Sequence, residues 1–184
     1  MKTRKFLSIA LFTVALGTTS FAQKTVMVGG AAMYPTKNIV ENAVNSKDHT
    51  TLVAAVKAAG LVETLQSAGP FTVFAPTNAA FDKLPMGTVE TLLKPENLKT
   101  LQTILTYHVV AGKMNGMDVA KAIKAGNGKA MLKTVSGETL TAWMQGKDLY
   151  ITDESGNKAK VTIADVNQSN GVIHVIDTVL LPKQ

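Results

Sequence analysis

The sequence contains no cysteine among its 184 residues. Disulfide bonds, thiolate-bound structural zinc, a cysteine nucleophile and a lipid-modified N-terminal cysteine are therefore excluded. Aromatic residues make up only 5% of the chain and charged residues only 17%. Since the hydrophobic share is 46%, the composition is that of a globular chain. Its length predicts a single domain that folds without covalent cross-links.

Long hydrophobic runs are also missing. The longest apolar stretch, Phe6 to Leu16, has 11 residues, whereas a membrane-spanning helix needs about 20. It follows a basic head that ends at Lys5, and Ser20-Phe21-Ala22 supplies small residues at the two positions that a signal peptidase reads. This three-part pattern predicts a signal peptide over residues 1–22, no membrane span after cleavage, and a secreted or periplasmic protein.

The charge balance does not favour a nucleic-acid partner. The chain carries 19 basic and 13 acidic residues, a net charge of +6. Removing residues 1–22 takes away three basic residues and leaves 16 against 13, a net charge of +3. The remaining lysines are scattered and form no basic stripe with aromatic residues between them, so we expect no nucleic-acid binding.

The first half of the mature chain has helical patterning. Residues 23–36 predict an irregular N-terminal arm that contains Gly29-Gly30, and the main domain is expected over residues 37–182. Pro76 predicts the end of a strand that starts at Phe71, and Thr77 or Asn78 is expected to cap the next helix. The clearest helix follows Pro95, where Leu98, Leu101, Ile104, Leu105, His108 and Val109 share one stripe.

From Met131 the hydrophobic period changes from 3.6 to 2 residues. Four short strands separated by turn residues are predicted, namely Met131–Val135, Glu138–Met144, Asp148–Ile151 and Lys158–Ala164. The last strand, Val172 to Leu181, is apolar on both alternations, which predicts a central strand covered on both faces. Helices followed by a β-meander indicate the α+β class.

Three sequence blocks carry a family resemblance. Residues 71–81 read FTVFAPTNAAF, residues 106–110 read TYHVV, and residues 170–177 read NGVIHVID. In this order they resemble the signatures of the fasciclin domain, and the similarity runs from about Lys37 to Pro182. The resemblance implies a wedge of mostly antiparallel strands flanked by helices. It also implies an exported binding module used in adhesion, with no cofactor and no enzymatic activity.

Most residues of the two outer blocks are interpreted as fold determinants. The set that matches the family signatures and is assigned a structural role is Phe71, Pro76, Thr77, Asn78, Phe81, Gly171, His174 and Asp177. Phe71, Phe74 and Phe81 are expected to pack together around the corner that Pro76 makes. Thr77 and Asn78 are the expected hydrogen-bond donors for a buried Asp177.

The central block supplies the candidate binding residues. His108 lies on the apolar stripe of its helix, where a buried histidine that holds a backbone carbonyl is the structural alternative to a ligand contact. Tyr107 lies nearer the edge of that stripe. In animal members of the family this motif is tied to receptor binding, so the resemblance makes Tyr107 the better candidate contact, with His108 beside it.

No pattern predicts a metal site or a catalytic centre. The three histidines, His49, His108 and His174, have none of the spacings of a zinc motif. Met114 and Met117 could hold Cu(I) in an exported protein, although flexible packing is the alternative. The chain also lacks a nucleophile elbow, a P-loop and a dinucleotide fingerprint.

Together these features predict an exported binding module that adheres to a cell-surface or matrix protein or to a glycan. The alternative is a periplasmic carrier that holds a small ligand in a pocket between the helices and the sheet. A third possibility is an unrecognised hydrolase. An apolar pocket with convergent polar groups would favour the carrier. An exposed apolar patch would favour adhesion, and a serine or aspartate poised against His108 or His174 would favour the hydrolase.

Overall fold

The computed structural model describes residues 25–183, so the predicted signal peptide lies outside the described residues. The helices of the described part are α1 (Ile39–Ala43), α2 (Thr50–Ala58), α3 (Val62–Gln66), α4 (Asn78–Phe81), α5 (Thr88–Leu92), α6 (Leu98–Tyr107) and α7 (Gly116–Ala125), with 3-10 turns at Lys47–His49 and Pro95–Asn97. The strands are β1 (Val26–Val28), β2 (Ala31–Met33), β3 (Phe71–Pro76), β4 (Val109–Ala111), β5 (Lys129–Lys133), β6 (Thr139–Gln145), β7 (Asp148–Thr152), β8 (Lys158–Gln168) and β9 (Gly171–Ile176). None of the helices in residues 25–183 has the length and hydrophobicity to cross a membrane.

The N-terminal arm is a β-hairpin, so the prediction of irregular structure was wrong there. β1 and β2 pair antiparallel, and Gly29 and Gly30 form the turn with φ of 57° and 77°. Glycine adopts such positive φ values without steric cost, which lets a tight turn join the strands. Val28 and Met33 are buried against the main sheet, so the hairpin is part of the core.

A seven-stranded sheet has the order β4-β3-β9-β8-β7-β6-β5. β3 and β9 pair in parallel, and the other neighbours are antiparallel. The α+β class and the mostly antiparallel sheet are therefore confirmed. The predicted central strand is confirmed over residues 172–176, where every residue of β9 is buried, but it ends at Ile176, so its predicted continuation to Leu181 was wrong. Gly171 opens this strand where a Cβ atom would collide with the Phe71 carbonyl oxygen.

Strand β4 was missed by the sequence prediction, which continued the helix through Val109. The helix ends at Tyr107, and β4 pairs with β3 from Val109 to Ala111. β-branched Val109 and Val110 suit a buried strand, and the available edge of β3 gives them backbone partners. The Val135 N–H donates to the Val109 carbonyl at 2.7 Å, so the two edges of the sheet approach each other.

The core divides between the two halves of the sheet. One part lies between α7 and the inner face of β5 to β8. The other lies between β3 and β9 on one side and the hairpin and the first helices on the other. The face of β5 to β8 that points away from α7 is free of helices among the described residues. The first three helices lie over β3 instead.

Candidate functional site

Tyr107, the last residue of α6, is fully buried. Its hydroxyl donates to the Thr139 carbonyl at 3.2 Å and accepts the Glu154 N–H at 3.2 Å. Thr139 begins β6 and Glu154 follows β7, so one hydroxyl joins two parts of the meander. Burial raises the pKa of Tyr107 to about 12, and the phenol therefore remains a donor at neutral pH.

His108 caps α6 and is also buried. Its Nδ1 lies 2.8 Å from the Ile104 carbonyl, and its Nε2 lies 3.0 Å from the Leu180 N–H. A backbone N–H can only donate, so Nε2 accepts and Nδ1 carries the proton of a neutral ring. Burial lowers the pKa of His108 to about 4, which keeps the ring neutral at physiological pH.

The two candidate binding residues, Tyr107 and His108, lie inside the protein. Both side chains are held by backbone groups inside the protein, and neither reaches the surface. A direct contact with a partner would require Tyr107 and His108 to leave the core. Their role as binding residues therefore stays a prediction, and the exposed parts of the molecule offer other surfaces for a partner.

The three phenylalanines of the first signature do not pack together as expected. Phe74 lies with Tyr107 in the core beneath β5 to β8, and Phe71 lies in the core beneath the hairpin. Three residues apart on one strand, they point to opposite faces. Phe81 sits on α4 and packs against Ile104 and its neighbours in a third cluster. Pro76 and Thr77 do take their expected places, because Pro76 ends β3 and the Thr77 hydroxyl caps α4.

The second signature contributes a buried histidine and a partly exposed aspartate. His174 stacks on Phe74 with 5.7 Å between ring centroids, and its Nε2 donates to the Met114 carbonyl at 2.9 Å. Burial lowers the pKa of His174, which favours the neutral ring. Neither His108 nor His174 hydrogen-bonds a serine or carboxylate side chain among residues 25–183.

The expected partners of Asp177 were wrong. Its carboxylate accepts the Lys160 N–H at 2.8 Å and the Thr178 hydroxyl at 3.0 Å, and it lies 3.7 Å from the Lys83 ammonium group. Its side chain is 41% exposed, so it needs no buried donors. Asn78 instead ties α4 to the start of α2, because its Oδ1 accepts the Thr51 N–H at 3.0 Å.

Asn170, the first residue of the NGVIHVID block, is a structural residue that the sequence analysis did not single out. Its Oδ1 accepts the Ile39 N–H at 3.0 Å, and its Nδ2 donates to the carbonyls of Leu65 and Ser67 at 2.8 and 2.9 Å. One amide thus holds the start of α1 and the end of α3 beside β9. An asparagine before a glycine indicates a turn in the sequence, but these partners lie more than 100 residues away.

We expect Asn170→Ala to lower the free energy of unfolding by about 2 kcal/mol, because one buried and two partly buried hydrogen bonds to the backbone are lost. Urea denaturation followed by circular dichroism measures this change. Asn170→Asp is the matched control, since it keeps an acceptor for the Ile39 N–H but loses both donors. An alanine variant as stable as the wild type would contradict the prediction.

No group of three or more potential metal-ligating His, Cys, Asp or Glu residues occurs within residues 25–183. The two methionines of the possible Cu(I) pair, Met114 and Met117, lie in different environments. Met114 packs against the core, whereas Met117 is 69% exposed. The described residues thus offer no assembled ligand set.

The most distinctive exposed feature is an aromatic pair on the outer face of the meander. Trp143 on β6 and Tyr150 on β7 are cross-strand partners, with 5.0 Å between their ring centroids and 20° between their planes. Both rings are half-buried. The Trp143 indole N–H donates to the Thr152 hydroxyl at 2.9 Å, which fixes the ring against the sheet.

Lysines surround this pair. Lys129 and Lys160 extend its row to either side, because Lys129 pairs with Trp143 and Lys160 pairs with Tyr150. The Lys158 ammonium group lies 5.4 Å from the centre of the Trp143 ring, a cation–π contact. We call the outward side chains of strands β5 to β8 the outer face. Its charged members are Lys129, Lys133, Asp148, Lys158 and Lys160.

A second feature is an apolar cavity of about 90 Å³ between β3 and the first three helices. Its wall is formed mainly by aliphatic side chains, including Val73, Leu52, Val56 and Leu65. Lys57 is the only charged side chain in the described lining. The sequence predicted such a pocket only as an alternative, because the residues that form it lie far apart along the chain.

His49 contributes to the wall of this cavity. The ring is buried, and its Nδ1 lies 2.9 Å from the Ser46 hydroxyl. Its Nε2 is buried and has no hydrogen-bond partner among residues 25–183. Burial lowers the pKa of His49, although the nearby Ala75 carbonyl and Asp48 offset part of the effect. The ring is therefore favoured in its neutral form.

Comparisons with known proteins agree on one family. The family model of the fasciclin domain matches residues 47–182. Protein sll1483 of Synechocystis sp. is 47% identical over 175 residues, which cover 95% of this chain and 90% of that protein. Cell surface glycolipoprotein MPB83 of Mycobacterium bovis is 35% identical over 160 residues, which cover 84% of this chain and 64% of the relative.

A solved structure shares the fold. It is a fasciclin domain pair from the insect cell adhesion molecule fasciclin I, with a TM-score of 0.70 and 20% sequence identity. The match covers 79% of this chain and 51% of that chain. At this identity the likeness concerns the fold.

Proposed function

The chain belongs to the fasciclin domain family, and on that premise we propose that it is an exported binding module for adhesion at a cell surface or matrix. Two similar proteins support this proposal. One is a cell surface glycolipoprotein, and the solved structure comes from a cell adhesion molecule. The N-terminal basic and apolar pattern supports export to the periplasm or beyond it.

The outer face is the proposed contact surface, and the Trp143–Tyr150 pair is the observation that carries this choice. Tryptophan and tyrosine are enriched among the residues that dominate binding energy at interfaces. The two rings are already stacked and the indole N–H is already bonded, so little side-chain freedom is lost when a partner binds.

The charge of the outer face favours an acidic glycan as the partner. The outer face carries four lysines and one carboxylate, Asp148, which is already paired with Lys160 at 2.7 Å. Uronate or sulfate groups would complement the remaining lysines, while the C–H faces of the sugar rings would lie on the aromatic rings. Such charge complementarity gives specificity and makes binding sensitive to salt.

We propose that Tyr107 and His108 serve this surface from the interior. The Tyr107 hydroxyl holds the first residue of β6 and the turn after β7 in place, and these strands carry the aromatic pair. The His108 ring holds the end of α6 to the C-terminal segment at Leu180. A change in the motif would then weaken adhesion through the position of the strands, without a direct contact.

We expect Trp143→Ala to weaken binding to immobilised alginate, an acidic polysaccharide, by about tenfold or more, because one aromatic anchor is lost. Surface plasmon resonance at low and physiological salt measures the effect, and affinity should fall as salt rises. Neutral dextran serves as the uncharged comparison polysaccharide.

Tyr34→Ala is the matched control. Tyr34 also carries a lysine over its ring, Lys37 at 5.3 Å, but it lies next to the N-terminal hairpin. Alginate binding that survives Trp143→Ala unchanged would move the contact away from the outer face. If neither polysaccharide binds but the protein adheres to cells through Trp143, the partner is a protein.

A second candidate function is a carrier of a small apolar ligand. The apolar cavity between helices and sheet favours it, because such concave, apolar sites are the usual places for small-molecule binding. The two functions use different parts of the protein, the outer face for adhesion and the interior under the first helices for a ligand. Each can therefore be tested without disturbing the other.

A further inference from the structure

The described wall of the apolar cavity offers a ligand almost no polar surface. Ser46 and His49 belong to this wall, but they hydrogen-bond each other, with 2.9 Å between Oγ and Nδ1. The hydroxyl of Thr106 donates to the Gln102 carbonyl at 2.7 Å, and His108 uses both ring nitrogens on backbone groups. A polar group of a ligand would therefore lose its hydration inside the cavity and gain no replacement hydrogen bonds, which costs free energy.

The cavity is narrow for its extent. Its wall reaches from Val28 in the N-terminal hairpin, beneath the first three helices, to Val109 in β4. Its volume is only about 90 Å³, so the space bounded by these elements is elongated. The wall residues Val40, Val53 and Val62 are only half-buried, and each belongs to a different one of the first three helices. The mouth of the cavity therefore lies between these helices.

We propose that the cavity binds the unbranched alkyl chain of a single-chain amphiphile, whose polar head stays in water at the mouth. This inference rests on the second proposed function and names its ligand class. A flexible chain adapts to an elongated space, whereas a ring needs a wider one. Apolar cavities in proteins stay dry, so the chain displaces no ordered water and its methylene groups are removed from solvent.

The volume sets the length of the chain that the cavity can bury. One water-sized group occupies about 10 to 15 Å³ of such a space. The cavity therefore accommodates roughly six to nine carbon atoms. Each buried methylene group tightens binding about fourfold. Carbon atoms beyond the capacity of the cavity extend from the mouth into water and add little.

A series of linear primary alcohols from butanol to decanol tests this length limit. Two-dimensional NMR titrations of ¹⁵N-labelled protein measure each affinity from the amide shifts of Val56 and Val73, two buried wall residues. We expect the affinity to rise about fourfold with each added methylene group and to level off at about eight carbons. An affinity that rises steadily through decanol would overturn the cavity as the site of the chain.

Linear hexanol and cyclohexanol are the matched probes for the shape of the ligand, since both have six carbons and one hydroxyl. We expect hexanol to bind more tightly by about fourfold or more, the worth of one methylene group left outside the cavity. Equal affinities, or tighter binding of cyclohexanol, would overturn the alkyl-chain assignment and leave the carrier function standing. If no alcohol of either kind saturates the protein, the carrier function fails together with this inference.

Two identical substitutions on neighbouring helices locate the chain. Ala43 on α1 lies in the wall of the cavity, so the Ala43→Leu side chain would occupy the space of about three carbons and move the levelling-off point to about five. Ala54 on α2 is exposed and lies outside the described lining, so Ala54→Leu should keep the wild-type dependence on chain length. Circular dichroism checks that both variants are folded. An Ala43→Leu variant with the wild-type dependence on chain length would overturn the proposal.

Discussion

Tyr107→Ala is expected to lower the free energy of unfolding by about 4 kcal/mol, the largest single effect among the substitutions considered. The ring is fully buried beside Phe74, so its removal leaves a large void in the core beneath the meander. The Thr139 carbonyl and the Glu154 N–H also lose their partner. Chemical denaturation monitored by Trp143 fluorescence and circular dichroism measures the change.

Tyr107→Phe is the matched control for this experiment. It keeps the ring and removes only the hydroxyl, so the expected loss is about 1 to 2 kcal/mol. An alanine variant that loses no more than the phenylalanine variant would contradict the packing argument.

The same pair of variants tests how the motif contributes to adhesion. Tyr107→Ala would reduce adhesion even if Tyr107 touches no partner, because it unfolds part of the population or displaces the meander. Tyr107→Phe stays folded and removes only the hydroxyl that holds the start of β6 and the turn after β7. If the phenylalanine variant loses binding while the backbone NMR shifts of β6 and β7 stay unchanged, Tyr107 makes a direct contact, and the proposed interior role is wrong.

Mild acid is expected to destabilise the protein by about 3 kcal/mol through His108 alone between pH 7 and pH 4. Burial lowers the pKa of His108 to about 4 in the folded protein, whereas a histidine in the unfolded chain titrates near its ordinary value of 6.5. Between these values the unfolded chain binds more protons. The free energy of unfolding therefore rises with pH over this interval, is fully present above about 6.5 and is lost as pH falls to about 4.

The contacts of His108 explain why protonation is so unfavourable. A proton on Nε2 would turn that atom into a donor facing the Leu180 N–H, which is also a donor. His49 and His174 act in the same direction, because burial lowers the pKa of each. Asp153 raises the pKa of His108, but burial lowers this pKa by more.

Urea denaturation at a series of pH values tests this prediction, with His108→Gln as the control. Glutamine does not titrate, so the dependence on pH should be shallower in the variant. The difference between the two curves isolates His108 from the carboxylates that also titrate near pH 4. Parallel curves would show that His108 does not drive the acid sensitivity.

Local patterns predicted much of the fold because they follow from short-range physics. The caps and breaks around Pro76 and Thr77 depend on neighbouring residues, and the helix after Pro95 depends on a 3.6-residue stripe. The alternation after Met131 reflects a sheet with one covered face. The missed strand β4 shows the limit, since Val109 continues the helical stripe, whereas Val109 and Val110 form a strand because β3 offers an edge.

The sequence by itself determined the α+β class and the family, and it excluded cysteine chemistry, because composition, periodicity and contiguous motifs are properties of the chain. Only the tertiary structure decided which motif residues are accessible. It buried Tyr107 and His108, whereas it brought Trp143 and Tyr150 together on an open face and His49 to a cavity wall. The physical reason is that burial and side-chain pairing depend on contacts between segments far apart in the chain, which spacing along the sequence does not specify.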